Sequence, residues 1–301
     1  RHWQEQGMMP DCITFKELCA FFGITRQAYY KHHTVLRRQE NDLLAHHELL
    51  GAVQRFRHRM PRLGARKLLY LLEEKEPALI KHIGRDAFFD LLRSENLLVK
   101  PRKGYSTKTT DSRHSFRKYP DLYNDHKATF ALPFMAVVAD ITYIHTLEGF
   151  AYAAILTDVA SRMVVGFDVS ASLCVEGSLR AAQMMMKLFK RAQAQGYTLL
   201  KPPIHHSDRG VQYCCADYIR LMQHYGFLPS MTQSGEPTDN ALAERVNGIF
   251  KEEFLFNTTF QNVKAVQQAF PESVLIYNTE RPHLALNMKT PSQFIQQSFA
   301  P

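Results

Sequence analysis

Two aspartates in the second half of the chain interrupt apolar runs. Asp140 lies inside MAVVADITYI (135–144), a β-prone run that predicts a central strand covered on both faces. Asp208 lies in HHSDRGVQY (205–213), at the end of a second predicted strand. An ionised carboxylate is costly to desolvate there unless a cation or hydrogen-bond donors meet it. The two positions therefore indicate a charged site.

A third carboxylate, Glu244, lies in PTDNALAERVNGIFKEEF (237–254), which predicts a helix. We expect its polar face to point toward a site and its apolar face to pack on a sheet. The polar face contains Asn240, Glu244, Asn247, Gly248 and Lys251, and the apolar face contains Leu242, Val246 and Ile249. Mg²⁺ prefers oxygen ligands and leaves room for water and phosphate. Three carboxylates on separate elements therefore suit two-metal phosphoryl transfer.

Spacing alone leaves other acidic residues open as members of this site. Residues 131–301 contain 14 Asp and Glu. The competitors are Asp158, Asp168, Asp217, Asp239, Glu252 and Glu253. Asp158 lies at a predicted hairpin turn, and the two glutamates come late on their helix.

The elements that would position the three carboxylates follow from periodicity. FAYAAILTDVASRMVVGFDVS (150–170) predicts two strands joined by the turn-like DVASR. The later predicted elements are a helix at 176–195, the strand leading to Asp208, a helix at about 216–225, a short strand near 227–232 and a helix at about 239–255. This order predicts a mixed α/β sheet layered with helices.

Positive charge is concentrated in the first half of the chain. Residues 1–130 contain 24 Lys and Arg against 15 Asp and Glu, whereas residues 131–301 contain 13 against 14. The net charge of +8 therefore resides in the first half. We expect that half to bind a polyanion such as nucleic acid.

The segment TFKELCAFFGITRQAYYKHH (14–33) predicts two helices and a turn. Gly23 is a predicted C-cap, and Thr25 is a predicted N-cap for a second helix that runs to about His33. Arg26, Gln27 and Lys31 would lie on its exposed side, as a DNA-reading helix requires. A plain helical hairpin explains this stretch equally well.

A second helical pair and a basic linker follow. The segments 64–74 and 84–98 each have an apolar stripe, and the basic residues around them are Arg62, Arg66, Lys67, Arg85 and Arg93. Residues 100–120 contain seven Lys and Arg, including Arg102 and Lys103, and one acidic residue. This linker would follow a phosphate backbone and gain affinity through counterion release. The alternative is a solvated tether.

The five cysteines lack a paired spacing, which favours a reducing cytosol over a disulfide framework. A zinc site built from Cys12, Cys19, His32 and His33 is an alternative. Against it, no short C-x-x-C motif is present, and Cys19 fits an apolar helix face.

Five ordered motifs resemble one family. They are DITY (140–143), DVASRMVVGF (158–167), HSDRGVQY (206–213), NALAE (240–244) and YNTERPHLALNMKTP (277–291). The chain resembles insertion-sequence transposases of the family typified by insertion sequence 3, which have a retroviral-integrase-type core. Thirty-five residues separate Asp208 from Glu244, the spacing typical of the family's Asp-Asp-Glu triad. Residues 64–68 and 83–103 resemble its upstream DNA-binding helices, and residues 1–40 match only as a helix-turn-helix.

The resemblance implies a ribonuclease-H-like fold with a mixed five-stranded sheet. It implies that Asp140, Asp208 and Glu244 are the catalytic residues and the ligands of two Mg²⁺ ions, for which Mn²⁺ can substitute. It assigns Asp158 to a structural turn and brings Lys251 to a DNA phosphate. YNTERPH would contact the core or DNA through Arg281 and His283. Two departures concern the pair before Asp140, Val138 and Ala139 instead of Trp-Thr, and Arg245, where Ser is more usual.

The predicted organisation has five parts. They are a helix-turn-helix at 1–40, a second helix-turn-helix-like domain at 41–100, a basic linker at 101–130, the catalytic core at 131–256 and a helical tail of the core at 257–301. The predicted function is a DNA transposase that binds double-stranded terminal inverted repeats and target DNA. We expect a homodimer or larger assembly on DNA in the bacterial cytoplasm, associated with the nucleoid and with no membrane partner. The alternatives are an inactive or domesticated DNA-binding repressor and a ribonuclease-H-like nuclease acting on RNA–DNA hybrids.

Overall fold

The protein consists of an N-terminal helical region and a mixed sheet with helices on both faces. This computed structural model describes residues 14–81, 83–100, 114–124, 129–233 and 237–298. Cys12 and the predicted DNA contacts Arg102 and Lys103 lie outside these ranges.

The predicted helix-turn-helix is present at the start of the described chain. The helices of the N-terminal region are α1 (Phe15–Phe21), α2 (Arg26–Arg59), α3 (Ala65–Lys75), α4 (Pro77–Ile80) and α5 (Arg85–Ser94). Gly23 follows the C-cap of α1 with a φ of +69°, a left-handed conformation that favours glycine. The Thr25 hydroxyl caps α2 by accepting from Ala28 N at 3.0 Å.

Helix α2 is much longer than its sequence prediction. It was expected to end near His33, but its backbone continues to Arg59. Residues 26–50 contain no glycine or proline, so nothing in them interrupts the hydrogen-bond ladder. The predicted domain boundary between residues 40 and 41 therefore falls inside a continuous helix.

The sheet has five strands in the order β3-β2-β1-β4-β5. The strands are β1 (Ala136–Thr146), β2 (Gly149–Asp158), β3 (Val164–Ser170), β4 (Ile204–Ser207) and β5 (Leu228–Met231). Strands β1, β2 and β3 form an antiparallel meander, whereas β4 and β5 run parallel to β1. The mixed five-stranded sheet implied by the resemblance is confirmed, and the fold is ribonuclease-H-like.

Helices cover both faces of this sheet. The helices of the core are α6 (Val175–Ala194), α7 (Val211–Cys214), α8 (Ala216–His224), α9 (Ala241–Glu252), α10 (Val263–Thr279) and α11 (Pro291–Ser298). On one face, α6 and α8 pack over Val137, Ala139 and Leu156. Gly166 permits the close approach of β3 to α6, because a Cβ there would lie 2.1 Å from the Ala181 carbonyl oxygen.

The opposite face of the sheet shares its core with the N-terminal helices. Buried residues of α2, α3 and α5 join those of the sheet, α9 and α10 in one apolar cluster. At its edge, Arg62 N donates to the Glu253 carbonyl oxygen at 3.0 Å, and Arg59 forms an ion pair with Glu280. Residues 41–100 are thus docked on the core.

Helix α10 closes the β3 edge of the sheet. The Asn278 side chain donates to Val164 O and accepts from Val164 N, each at 3.0 Å, as a neighbouring strand would. Tyr277 donates its hydroxyl to the Arg162 carbonyl oxygen at 2.9 Å. These bonds attach the predicted C-terminal tail to the core.

Residues 119–124, in the second half of the predicted linker, pack against the core and do not form a solvated tether. Leu122 N donates to Ser230 Oγ at 2.8 Å, and Met231 N donates to the Pro120 carbonyl oxygen at 3.3 Å. Tyr123 is buried and stacks on Phe130. Residues 119–124 therefore lie along β5, because their aromatic and apolar side chains find a core there.

Candidate active site

Asp140 and Asp208 emerge side by side from neighbouring parallel strands. Strands β1 and β4 pair with the Cα atoms of Ala139 and Ser207 in register. Each aspartate follows directly after one of these residues, so backbone pairing brings the two carboxylates to the same part of the sheet. Asp140 and Asp208 therefore lie close together.

Two hydrogen-bond donors meet the Asp140 carboxylate. Ile141 N donates to Oδ1 at 2.8 Å, and Asn247 Nδ2 donates to Oδ2 at 2.7 Å. Burial, repulsion from Asp208 and weaker repulsion from Glu244 raise the pKa of Asp140 to about 8. Asp140 thus lies in a local excess of negative charge.

The Asp208 carboxylate is held by the turn that follows it. Gly210 N donates to Asp208 Oδ1 at 3.0 Å. A Cβ at position 210 would lie only 3.0 Å from the same oxygen, so a larger residue there would displace the carboxylate. The glycine of the HSDRG motif therefore serves this turn.

Glu244 lies in the first turn of α9, on the exposed side. Burial raises its pKa. Asn240, at the start of the helix, donates its side-chain amide to the Ala139 carbonyl oxygen at 3.0 Å. This bond ties α9 to β1 directly beside Asp140. The structure thereby brings Glu244 toward the two aspartates, as predicted.

The polar face of α9 points toward the site, as expected. Asn247, which belongs to that face, is buried and donates to Asp140. Its position three residues after Glu244 and seven after Asn240 places all three on adjoining parts of the helix. An amide inside a helix that packs on a sheet was the sequence signal for this contact.

Lys251 lies farther along the same helix and is half-buried. Burial lowers its pKa, and the negative charge of Asp140 opposes that shift. Within the described residues, no three or more His, Cys, Asp and Glu side chains are arranged closely enough to hold a metal ion by themselves. Water or substrate oxygens would have to complete a coordination shell at Asp140 and Asp208.

Four of the six competing carboxylates bind other groups. Asp158 Oδ1 accepts from Phe134 N at 2.6 Å, and Oδ2 accepts from the Ser161 backbone N at 2.8 Å and hydroxyl at 2.5 Å. Asp158 is therefore a structural turn residue, as the resemblance implied. The acids with ion-pair partners are Asp168 with Arg180, Asp217 with Arg220, and Glu253 with Lys67 and Arg281.

His206 and Arg209, whose roles the sequence left open, form structural contacts. His206 is fully buried, with Nδ1 2.9 Å from Ser230 Oγ and Nε2 3.2 Å from the Asp239 carbonyl oxygen. Arg209 donates to Gln233 Oε1 at 3.1 Å, and its carbonyl oxygen accepts from His114 Nε2 at 2.7 Å. These contacts hold the segments on both sides of Asp208.

Two predicted DNA contacts, Lys67 and Arg281, are buried and form ion pairs inside the protein. Lys67 Nζ lies 2.9 Å from Glu253 Oε1, and Arg281 donates from Nη2 and Nε to the two Glu253 oxygens at 2.7 and 2.8 Å. Helix α3 turns Lys67 to the same side as its buried leucines, so the charge needs a partner within the core. The prediction that these two residues contact DNA was wrong. The alternative prediction for YNTERPH, that Arg281 contacts the core, is confirmed.

The other predicted DNA contacts on the N-terminal helices are exposed. They are Arg26, Gln27 and Lys31 on α2, Arg66 on α3 and Arg85 on α5. Arg66 and Arg85 line one groove together with Arg93. Cys19 is buried in α1, the apolar position that its helical spacing predicted.

Two models of the integrase core domain match the chain, one over residues 132–237 and one over residues 225–291. A protein of insertion element IS600 from Shigella sonnei, described as an uncharacterized 31 kDa protein, is 31% identical over 283 residues. That match covers 92% of this chain and 97% of the relative. The transposase for insertion sequence element IS904 from Lactococcus lactis is 32% identical over 197 residues, 61% of this chain and 73% of the relative. The chain belongs to the insertion-sequence transposases.

Membership of this family confirms the resemblance carried by the five motifs, and the protein is a DNA transposase with an integrase-type core. Among solved structures, the catalytic core domain of bovine immunodeficiency virus integrase is 18% identical, with a TM-score of 0.39. That match covers 55% of the transposase and 95% of the viral domain. Among the described helices of the transposase, none combines the length and apolarity needed to cross a membrane.

Proposed function

We propose that this transposase cleaves DNA at the terminal inverted repeats of its insertion sequence and joins the freed 3′ ends to target DNA. Asp140, Asp208 and Glu244 are the proposed catalytic residues. Water attacks the phosphodiester at the element end, which releases a 3′-hydroxyl. That hydroxyl then attacks a phosphodiester of the target, and the target strand is the leaving group. No covalent protein–DNA intermediate is needed.

The observation that carries this proposal is the convergence of three carboxylates from separate elements. Asp140 and Asp208 follow residues that are in register on adjacent strands, and Glu244 is tied to β1 through Asn240. The raised pKa of Asp140, caused by burial and then by Asp208 and Glu244, supports their mutual proximity. Such an arrangement is typical of phosphoryl transfer rather than of packing.

The carboxylates suit divalent cations. Negative charge accumulates at Asp140, and among the residues that the structure describes no cation lies within hydrogen-bond distance of its carboxylate. A bound cation would therefore relieve the repulsion between Asp140 and Asp208. The proposed ligands of two Mg²⁺ ions, or of Mn²⁺ in their place, are Asp140, Asp208 and Glu244. When bound, such ions supply Lewis-acid activation of the attacking and leaving oxygens.

Residues around the triad would orient it and the substrate. Asn247 and Ile141 N fix both oxygens of Asp140, and Gly210 N fixes one oxygen of Asp208. Lys251, half-buried on the same helix as Glu244, is proposed to bind a DNA phosphate near the scissile bond. These contacts keep the reacting groups in place without reorganisation during the reaction.

The N-terminal helices are the proposed contact with the inverted repeats. Arg26, Gln27 and Lys31 lie exposed at the start of α2, where a reading helix would enter the major groove. Arg66 and Arg85 line an exposed groove and are proposed to hold phosphates. Because two ends must be brought together, we expect a dimer or larger assembly on DNA, in the cytoplasm and at the nucleoid.

The decisive experiment measures strand transfer by the Asp208→Asn variant on duplexes that carry the element ends. We expect the variant to bind these duplexes with unchanged affinity and to lose Mg²⁺-dependent strand transfer. The matched control is Asp217→Asn, which removes the same charge from an exposed residue of α8 and should retain activity. Retained strand transfer by Asp208→Asn would contradict the assignment of the triad. Wild-type protein that binds ends but never cleaves would instead support an inactive DNA-binding repressor.

A further inference from the structure

A cavity of about 430 Å³ lies beside α9, opposite its Asp140-facing side. Arg245 and Ile249 line it, whereas Asn247 and Lys251 lie about half a turn round the helix. The turn after β2, helix α3 and the segment after α10 complete its walls. None of the residues proposed for catalysis lines this cavity.

The cavity walls contain four cations, which are Lys67, Arg162, Arg245 and Arg281. Lys67 and Arg281 share the single carboxylate of Glu253. Among the residues that the structure describes, neither Arg162 nor Arg245 forms an ion pair. One carboxylate for four cations leaves a local excess of three positive charges, which attracts an anion.

The buried His283 is affected by the same positive charges. His283 lies in the cavity wall, and Arg281 Nη1 lies 3.0 Å from its Nε2. Because a guanidinium can only donate, Nε2 is the acceptor and His283 is neutral with its proton on Nδ1. Burial first, and then the repulsion of the four cations, lowers the pKa of His283 to about 2. His283 therefore adds no further positive charge.

Arg162 is held at the cavity by its backbone. Its φ of +62° belongs to the left-handed region, and its N donates to the Asp158 carbonyl oxygen at 3.0 Å. Its own carbonyl oxygen accepts from the buried Tyr277 hydroxyl at 2.9 Å. The guanidinium thus projects from a fixed turn, which lowers the entropy lost when it binds an anion.

The cavity is continuous with the groove beside Glu244. A second groove is lined by the acidic residues Glu244, Glu252 and Glu253 and by Gly248. Ala241, Arg245 and Ile249 line both spaces, so Arg245 is the cation that the described lining of the second groove presents to a DNA strand. A Cβ at position 248 would meet open space, so the surface of α9 is unobstructed between them. A DNA strand that passes Glu244 can therefore reach Arg245 along the exposed side of the helix.

We propose that Arg162 and Arg245 form a binding site for a backbone phosphate of the DNA strand that passes Glu244. Guanidinium groups bind phosphate oxygens through charge-assisted, bidentate hydrogen bonds. This inference rests on the proposed function, because the strand enters from the proposed active site. The site would hold the substrate strand beyond the scissile phosphate and thereby fix its position during both steps.

The test compares salt dependence of DNA binding in the Asp208→Asn background, which keeps the DNA uncleaved. The probe is a fluorescein-labelled duplex with one element end, and the test variant adds Arg162→Gln and Arg245→Gln. Each phosphate contact contributes about 0.9 to the slope of log Kobs against log [salt]; because Arg162 and Arg245 share one phosphate, we expect a slope smaller by about 0.9. The control adds Lys187→Gln and Arg191→Gln, two exposed cations of α6, and should leave the slope unchanged.

A third variant separates charge from folding. Arg162→Lys with Arg245→Lys keeps both charges and should restore most of the slope, with bidentate geometry lost. Equal slopes for the Asp208→Asn parent and the Gln variant would overturn the proposal even if wild-type protein performs strand transfer. A lower slope in the Gln variant that the Lys variant fails to restore would also overturn it, since a folding defect would then be the cause. If wild-type protein neither binds nor joins element ends, the proposed function itself fails.

Discussion

Asn247 Nδ2 lies 2.7 Å from Asp140 Oδ2 and so links the Glu244 helix directly to the first carboxylate of the proposed triad. Only one oxygen of Asp140 is held by the backbone of its own strand, through Ile141 N. The other depends on this amide. Asn247 is therefore a positioning residue for the proposed chemistry.

Asn247→Ala should lower strand transfer by roughly ten- to a hundred-fold while the protein stays folded, since mispositioning a reacting group is costly in rate. The Mg²⁺ concentration needed for half-maximal activity should rise, because Asp140 loses its orientation. The measurement is a Mg²⁺ titration of strand transfer. Gln223→Ala removes an exposed amide from α8 and serves as the control. An unchanged Mg²⁺ requirement would rule out the positioning role.

Asp140→Asn should abolish activity without lowering metal-free stability. Burial and the charges of Asp208 and Glu244 raise the Asp140 pKa to about 8, so ionised Asp140 opposes folding at higher pH. Removing that charge relieves the repulsion, and the new amide can donate to Asn247 Oδ1 once that side chain turns over, since this oxygen has no hydrogen-bond partner among the described residues. We expect a melting temperature in EDTA at or above that of wild type, and a smaller increase on adding MgCl₂. A lower melting temperature in EDTA would contradict this account.

Asp158→Asn should have the opposite effect on stability. Asp158 accepts three hydrogen bonds inside the turn, and an amide would direct N–H donors at other donors. Leaving buried donors unsatisfied costs about 1–3 kcal/mol each. Denaturant unfolding should therefore show a loss of that order. Stability equal to wild type would show that the turn tolerates the missing acceptor.

Glu253→Gln should destabilise the protein strongly, because Lys67 and Arg281 would remain buried without a counterion. Removal of one partner from a buried ion pair costs roughly 3–5 kcal/mol. Glu252→Gln changes the exposed neighbouring glutamate and should cost less than about 0.5 kcal/mol. Urea unfolding of both variants gives the comparison. Similar stabilities for the two variants would show that the ion pairs of Glu253 with Lys67 and Arg281 do not stabilise the packing of the N-terminal helices on the core.

The contribution of Glu253 should disappear in acid. Burial favours the protonated form, but the hydrogen bonds and charges of Arg281 and Lys67 outweigh it and lower the pKa of Glu253 below 4.5. A depressed acid pKa stabilises the folded state above the unfolded-state pKa, and that stabilisation is lost as pH falls through the folded-state pKa. The stability gap between wild type and Glu253→Gln should be constant from pH 7 to 5 and shrink below pH 4.5. A gap independent of pH would contradict the assignment.

Much of the catalytic core could be predicted because its signals are local. The apolar run around Asp140 is long enough to specify a strand, and the helix of Glu244 has a clear periodicity. The strand and helix order then restricts the sheet to few topologies. The N-terminal helices were less predictable in extent, since residues 26–50 of α2 contain no glycine or proline that would mark a boundary at residue 40.

Residue types and their periodicity predicted the strands and most of the helices, because these signals are local. The five motifs identified the family, and that resemblance then selected Asp140, Asp208 and Glu244 among the acidic residues. Folding decided where the side chains of Lys67, Arg281 and Asn247 point. Lys67 meets Glu253 across 186 residues of sequence, and only packing of α3 on the core brings them together. The sequence does not distinguish a basic residue that faces DNA from one that faces a buried carboxylate. The two differ in the desolvation of the charge, which occurs only when the chain folds.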